Sequence, residues 1–81
     1  MIVRVLCFAA IQDVVGREAI EIALPAGSTV AALWDRLAAE HPALCPWRVS
    51  ARVAVNAAYA ADTAVIAAGD EVALIPPVAG G

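Results

Sequence analysis

Hydrophobic and polar positions alternate with the period of a β-strand in two segments near the N-terminus. Residues 2–8 are rich in β-branched side chains, and alternation places Arg4, Leu6 and Phe8 on one face, which Arg4 marks as the more solvated. Residues 18–24 alternate again, with their isoleucines on one side. We therefore predict two strands, the second antiparallel to the first.

The spacing of apolar residues becomes helical after a Pro-Ala-Gly turn. Ser28 or Thr29 has the side chain of a helix N-cap, and Leu33 and Leu37 lie on one helical stripe. His41 precedes a proline, which disfavours helical geometry at that residue. These features predict one main amphipathic helix that ends near His41.

The remaining chain predicts two more strands, at residues 49–56 and 71–75. Three segments are expected to be irregular: the connection around residues 12–16, the loop at residues 42–47 and the link at residues 56–62. A short helical turn is expected from Asp62 or Thr63. The order of elements predicts an α+β domain, a mixed sheet curved around a single helix.

Composition and charge narrow the class of protein. With 81 residues, of which 63% are hydrophobic, the chain is long enough for one small domain. Its formal net charge is −3 and all five basic residues are arginine. This balance argues against binding nucleic acid or an anionic membrane surface, which both require a basic face. We find no convincing signal peptide or membrane span, and expect a soluble cytoplasmic protein.

Catalytic and metal-binding patterns are scarce. Cys7 and Cys45 do not form a C-x-x-C pair, and His41 is the only histidine, so we expect no metal site. Both cysteines are interpreted as small buried hydrophobes. Asp70 and Glu71 are adjacent, so they point to opposite faces of a strand and form a poor acid–base pair.

The C-terminus is the segment whose sequence indicates a chemical role. The predicted body covers residues 1–75, and the predicted tail consists of Pro76, Pro77, Val78, Ala79, Gly80 and Gly81. Proline stiffens the exit from the last strand, and glycine gives a thin backbone that a narrow channel can accept. A carboxylate at Gly81 becomes an acyl donor once it is adenylated, and sulfide can then displace AMP to leave a thiocarboxylate.

The segment from residue 69 to residue 81, ending Pro-Pro-Val-Ala-Gly-Gly, resembles the C-terminal signature of molybdopterin synthase small subunits, which are ubiquitin-like sulfur carriers. Residues 3–9, 28–30 and 53–56 also look like that family, so the resemblance covers essentially the whole chain. It implies a β-grasp fold and adenylation of Gly81 by an E1-like enzyme that uses ATP. The tail would then enter a large catalytic subunit, usually in a heterotetramer, and pass sulfur to cyclic pyranopterin monophosphate.

The resemblance also implies that the chain binds no stable cofactor and that catalytic side chains belong to the large subunit. By position, Phe8, Tyr59 and Ile75 match the family's apolar patch for partner docking. Alternation independently places Phe8 and Ile75 outward. Two other interpretations stay open: Phe8 as a core residue and Tyr59 as a loop anchor. Trp34 and Trp47 are interpreted as packing residues.

Three alternative functions remain. The same tail chemistry serves sulfur carriers for thiamin, cysteine or tRNA thiolation. A β-grasp interaction module would use the apolar face without acyl chemistry. A protein conjugator resembling ubiquitin would use the same diglycine end.

Overall fold

The computed structural model describes residues 1–77, and the predicted tail residues Val78, Ala79, Gly80 and Gly81 lie outside the described residues. The described strands are β1 (Ile2–Cys7), β2 (Ala19–Ala23), β3 (Arg52–Val55), β4 (Ala58–Ala60) and β5 (Glu71–Ile75). The described helices are α1 (Ala9–Val15), α2 (Val30–Glu40) and α3 (Trp47–Ser50), with a 3₁₀ turn at Pro42–Leu44.

The strands form one mixed sheet in the order β2-β1-β5-β3-β4. The neighbours β1 and β5 are parallel, whereas β1–β2, β3–β5 and β3–β4 are antiparallel. The predicted antiparallel pairing of the first two strands is therefore confirmed. So is the α+β class with a mixed sheet, because α2 is the main helix and packs on one face.

The core lies between that face and α2, as the two periodicities predict. Val3 and Val5 of β1 and Val72 and Leu74 of β5 are buried, at 4% exposure or less. The stripe of α2 that meets them consists of Val30, Leu33, Trp34 and Leu37, all buried. Burial of each large aliphatic side chain stabilises the fold by about 1.5–3 kcal/mol.

The limits of α2 follow from its terminal residues. Thr29 is the N-cap, and its Oγ1 accepts a hydrogen bond from the Ala32 amide at 3.2 Å. His41 is the C-cap, so the helix ends where the following proline predicts. The bounds of α2 and β5 are the best predicted of all the elements.

The predicted connection around residues 12–16 was wrong, because this segment belongs to α1. The helix has seven residues and ends at Gly16, whose φ of 81° is left-handed and whose amide donates to the Gln12 carbonyl. Ile11 is its one buried residue, and its N-cap, Phe8, offers no capping side chain. Two turns with a single buried position leave no periodicity to read.

Other predicted segments also needed correction. The expected strand at residues 49–56 begins only at Arg52, because Val49 lies in α3 and is 95% exposed. The predicted irregular link at residues 56–62 contains β4, and the predicted loop at residues 42–47 contains a 3₁₀ turn. Residues 62–63 form a simple turn instead of a helical one.

The two cysteines differ in environment. Both are free thiols; Cys7 is buried, as predicted, but Cys45 is exposed. Cys45 follows the 3₁₀ turn, in which Leu44 is the buried residue. The tryptophans pack as predicted, with Trp34 buried and Trp47 partly buried against the core. No helix within residues 1–77 has the length and apolar character needed to cross a membrane.

Candidate functional site

The sheet face opposite α2, here called the open face, carries a row of apolar side chains across four strands. Strand register aligns Leu6 of β1 with Ala73 of β5, Ala73 with Ala54 of β3, and Ala54 with Tyr59 of β4. Alternation puts these residues on the side away from the core. The small side chains of Ala73 and Ala54 lie at the centre of this row, and the larger side chains of Leu6 and Tyr59 lie at its ends.

A groove of about 390 Å³ runs along this row, here called the open-face groove. Its lining residues are Leu6, Phe8, Ala54, Ala57, Tyr59, Glu71, Ala73 and Ile75. Phe8 is 47% exposed and Tyr59 66% exposed. Such exposure of large apolar side chains is typical of a surface that a partner covers.

The structure thus brings together the three predicted interface residues, Phe8, Tyr59 and Ile75. Phe8 lies on the open face and not in the core, and Tyr59 lies in β4 and not in a loop. Their role as partner contacts stays a prediction, because residues 1–77 are described without a partner.

A second apolar groove, of about 860 Å³, lies where the chain leaves β5 and is here called the exit groove. It is lined by Phe8, Ala9, Ala10, Trp47, Ile75, Pro76 and Pro77. Phe8 and Ile75 line both grooves, so the apolar surface is continuous from the sheet to the predicted tail. Sequence reasoning placed Pro76 and Pro77 here but missed the contribution of Trp47 and α1, which depends on tertiary packing.

Charged residues border the apolar surface. Arg4 is aligned with Glu21 on one side and with Glu71 on the other, which forms a charged row at one end of the open face. Toward the opposite end, the Arg52 guanidinium lies 5.1 Å from the centre of the Tyr59 ring. This distance is within the range of a cation–π interaction.

A hydrogen-bonded link fixes the start of β5 beside the turn between β3 and β4. The Asn56 side-chain amide donates to Asp70 Oδ1 at 2.9 Å, and the Ala67 amide donates to Asp70 Oδ2 at 2.8 Å. The Glu71 amide donates in turn to Asn56 Oδ1 at 2.9 Å. The hydrogen bond from Ala67, and then that from Asn56, lower the pKa of Asp70 below its ordinary value. We interpret this link as structural.

No set of catalytic side chains emerges from these contacts. Burial raises the pKa of the Cys7 thiol, which makes the reactive thiolate harder to form. Within residues 1–77, no group of three or more His, Cys, Asp or Glu side chains could hold a metal ion. What the described residues offer is a continuous apolar surface beside the exit of the C-terminal segment.

Comparison with known proteins agrees with this arrangement. The fold is that of the ubiquitin-like β-grasp class, as the resemblance implied. The ThiS family model matches residues 5–81, and the chain belongs to this family.

The similar proteins include both curated relatives and solved structures. The molybdopterin synthase sulfur carrier subunit of Arabidopsis thaliana is 34% identical over 98% of this chain and 82% of its own length. The molybdopterin synthase sulfur carrier subunit of Homo sapiens is 33% identical over 98% of this chain and 93% of its own length. The crystal structure of SAMP1 from Haloferax volcanii covers 100% of both chains, with 31% identity and a TM-score of 0.89.

One solved structure contains two different subunits. It is a complex of subunits 1 and 2 of the molybdopterin-converting factor from Helicobacter pylori. The matching chain is 26% identical, with a TM-score of 0.73 and full coverage of both chains.

Proposed function

We propose that this protein is the sulfur carrier subunit of a molybdopterin synthase, and that its C-terminal Gly81 carries the sulfur. The observation that carries this proposal is the position of β5. This central strand leads through Pro76 and Pro77, beside a continuous apolar surface, toward a sequence that ends in two glycines. Similarity to sulfur carrier subunits over nearly the whole chain supports it.

The chemistry takes place at the terminal carboxylate. One carboxylate oxygen of Gly81 attacks the α-phosphate of ATP on an E1-like partner, forms an acyl adenylate and releases pyrophosphate. Sulfide then attacks the acyl carbon, AMP leaves, and a thiocarboxylate remains. Its sulfur is a nucleophile toward an electrophilic carbon of cyclic pyranopterin monophosphate. The domain itself supplies no general acid or base in this scheme.

Two partners are required. The E1-like enzyme activates the tail, and a large catalytic subunit receives it, in a heterotetramer of two small and two large chains. The open face and the exit groove provide the docking surface, with Phe8, Tyr59 and Ile75 as its large apolar contacts. The Helicobacter pylori complex of two subunits supports such an assembly. We place the complex in the cytoplasm.

The proposal is tested by reconstitution with the E1-like enzyme, ATP, a sulfide donor and the large subunit. Intact mass should rise by about 16 Da, because sulfur replaces one oxygen, whereas a cysteine persulfide would add about 32 Da. Deleting Gly81, or adding residues after it, should abolish both the mass change and dithiolene formation. Cys45→Ser is the matched control, because it removes the exposed thiol and should leave sulfur transfer intact.

The opposite pattern would overturn the proposal. A chain without Gly81 that still supports dithiolene synthesis would exclude the tail as the carrier. Loss of transfer in the Cys45→Ser variant alone would move the chemistry to that thiol.

A second candidate is a protein modifier, favoured by the likeness to the small archaeal modifier protein 1 of Haloferax volcanii. The intact-mass experiment separates the two, because conjugation would join the whole chain to a target lysine. The chain has no lysine of its own, so it could not extend into lysine-linked chains. A sulfur carrier for another thiolation pathway would show the same mass change but no dithiolene product.

A further inference from the structure

Arg52 differs in its contacts from the arginines of α2 and α3. Arg36 pairs with Glu40 at 3.1 Å, and Arg48 pairs with Asp35 at 2.7 Å. Arg52 is exposed, its guanidinium lies over the Tyr59 ring, and it forms no ion pair within residues 1–77. Its guanidinium is therefore positioned by an aromatic ring and not by a carboxylate.

Its position places this cation at the border of the apolar surface. Arg52 is aligned with Ile75 of β5, and Tyr59 lines the open-face groove. Glu71 begins the same strand that ends at Ile75, so the charged row of Glu21, Arg4 and Glu71 lies about 13 Å away along β5. The open face therefore has charges of both signs at one end and Arg52 at the other, with apolar residues between them.

The contact with the ring leaves the guanidinium available to a particular kind of ligand. The ring offers no oxygen acceptor, so the N–H donors of Arg52 can still form the fork geometry that matches a carboxylate. Restriction by the ring also lowers the rotamer entropy that would be lost on binding. If a docking partner covered this arginine without providing a hydrogen-bond acceptor, the guanidinium would incur a desolvation penalty.

We propose that Arg52, held on Tyr59, binds a carboxylate side chain of the large subunit that docks on the open face. This inference rests on the proposed function and adds the chemistry of the partner at one point of its surface. With a net charge of −3, this chain favours a basic partner surface. A carboxylate opposite Arg52 would be a local exception, and it would fix the orientation of docking.

The experiment has to distinguish a carboxylate of the partner from Asp62, a nearby carboxylate of this chain. Asp62 lines a cleft together with Arg52 and Tyr59, although no ion pair joins Asp62 to Arg52. If Asp62 were the carboxylate that Arg52 binds, removing Asp62 would weaken binding to the large subunit as much as removing Arg52. The Asp62→Asn variant therefore belongs in the experiment.

The test is calorimetric titration of the large subunit from the same organism with the full-length chain, at several NaCl concentrations. Arg52→Gln should weaken binding about tenfold or more and reduce its dependence on salt, because one interfacial ion pair is lost. Arg52→Lys should recover only part of the affinity, because lysine keeps the charge without the planar fork. Arg36→Gln is the matched control: it removes the same charge from α2, on the other side of the sheet, and should bind within twofold of the unaltered chain.

Urea unfolding of each variant verifies that the fold is kept. If Arg52→Gln binds within twofold of the unaltered chain, the carboxylate contact is excluded while the proposed function stands. If Asp62→Asn weakens binding as much as Arg52→Gln, Arg52 acts within its own chain and the inference is overturned. If the unaltered chain does not bind the large subunit, the proposed function and this inference fail together.

Discussion

Asn56 and Ala57 turn the chain from β3 into β4 with left-handed backbone, at φ values of 51° and 67°. This two-residue hairpin requires positive φ at both positions, and asparagine followed by glycine is the sequence it favours. Asparagine tolerates the conformation, but the Cβ of alanine opposes it. The absence of glycine explains why the sequence predicted an irregular link here and why β4 was missed.

Replacing Ala57 with glycine should therefore stabilise the protein. We expect Ala57→Gly to raise the free energy of unfolding by up to about 1 kcal/mol, because relief of the left-handed strain exceeds the added flexibility of the unfolded chain. Urea unfolding monitored by tryptophan fluorescence measures the change. Gly69→Ala is the reverse control: at a φ of 86°, with open space around the added Cβ, it should destabilise by about 1 kcal/mol. A lower midpoint for Ala57→Gly would contradict this account of the turn.

At the scale of elements, the link through Asp70 joins the β3–β4 turn to the beginning of β5. Its hydrogen bonds lower the pKa of this carboxyl below the ordinary 3.8, so they stabilise the fold when Asp70 is ionised. This contribution is present above the ordinary value and is lost as the pH falls through the folded-state value. Asp70→Asn should therefore be less stable than the unaltered chain at pH 7, and the difference should narrow as the pH falls below 3.8.

Midpoints of urea unfolding at pH 7 and at a pH below 3.8 measure this effect. Asp13→Asn removes the same charge from the exposed surface of α1 without affecting the link, so its effect should be small at both. An Asp70→Asn difference that stays constant with pH would show that the ionised carboxylate contributes nothing.

Element length decides how much of this fold could be predicted. The stripe of α2 runs over eleven residues and its N-cap is a threonine, so both its type and its limits follow from the sequence. The four residues of α3 and the seven of α1 bury too few positions to give a period. Their structure depends on tertiary contacts, which no local pattern contains.

At the scale of the whole molecule, the sheet and core lie within the predicted body, and the proposed chemistry lies at the other end of the tail. A chain that ends at Pro77 should therefore fold as the full chain does, with a midpoint of thermal unfolding within about 2 °C. Differential scanning calorimetry of the two chains tests this. A large drop in the midpoint would mean that residues 78–81 contribute to the folded body.

Some parts of the candidate site could be predicted from the sequence and others could not. The diglycine end and the two prolines can be read directly, because a chain terminus needs no tertiary information. Outward positions of Phe8 and Ile75 follow from strand alternation. The position of the exit groove does not follow from alternation, because Trp47 reaches the groove from a short helix and lies 24 residues before the start of β5.

The central place of β5 has a mechanical consequence. Strands β1 and β3 flank it, so a pull directed along β5 from its C-terminal end loads two ladders of hydrogen bonds in shear, all at once. An edge strand pulled sideways would instead unzip one bond at a time. Both ladders together therefore resist a force applied at the C-terminal end of β5.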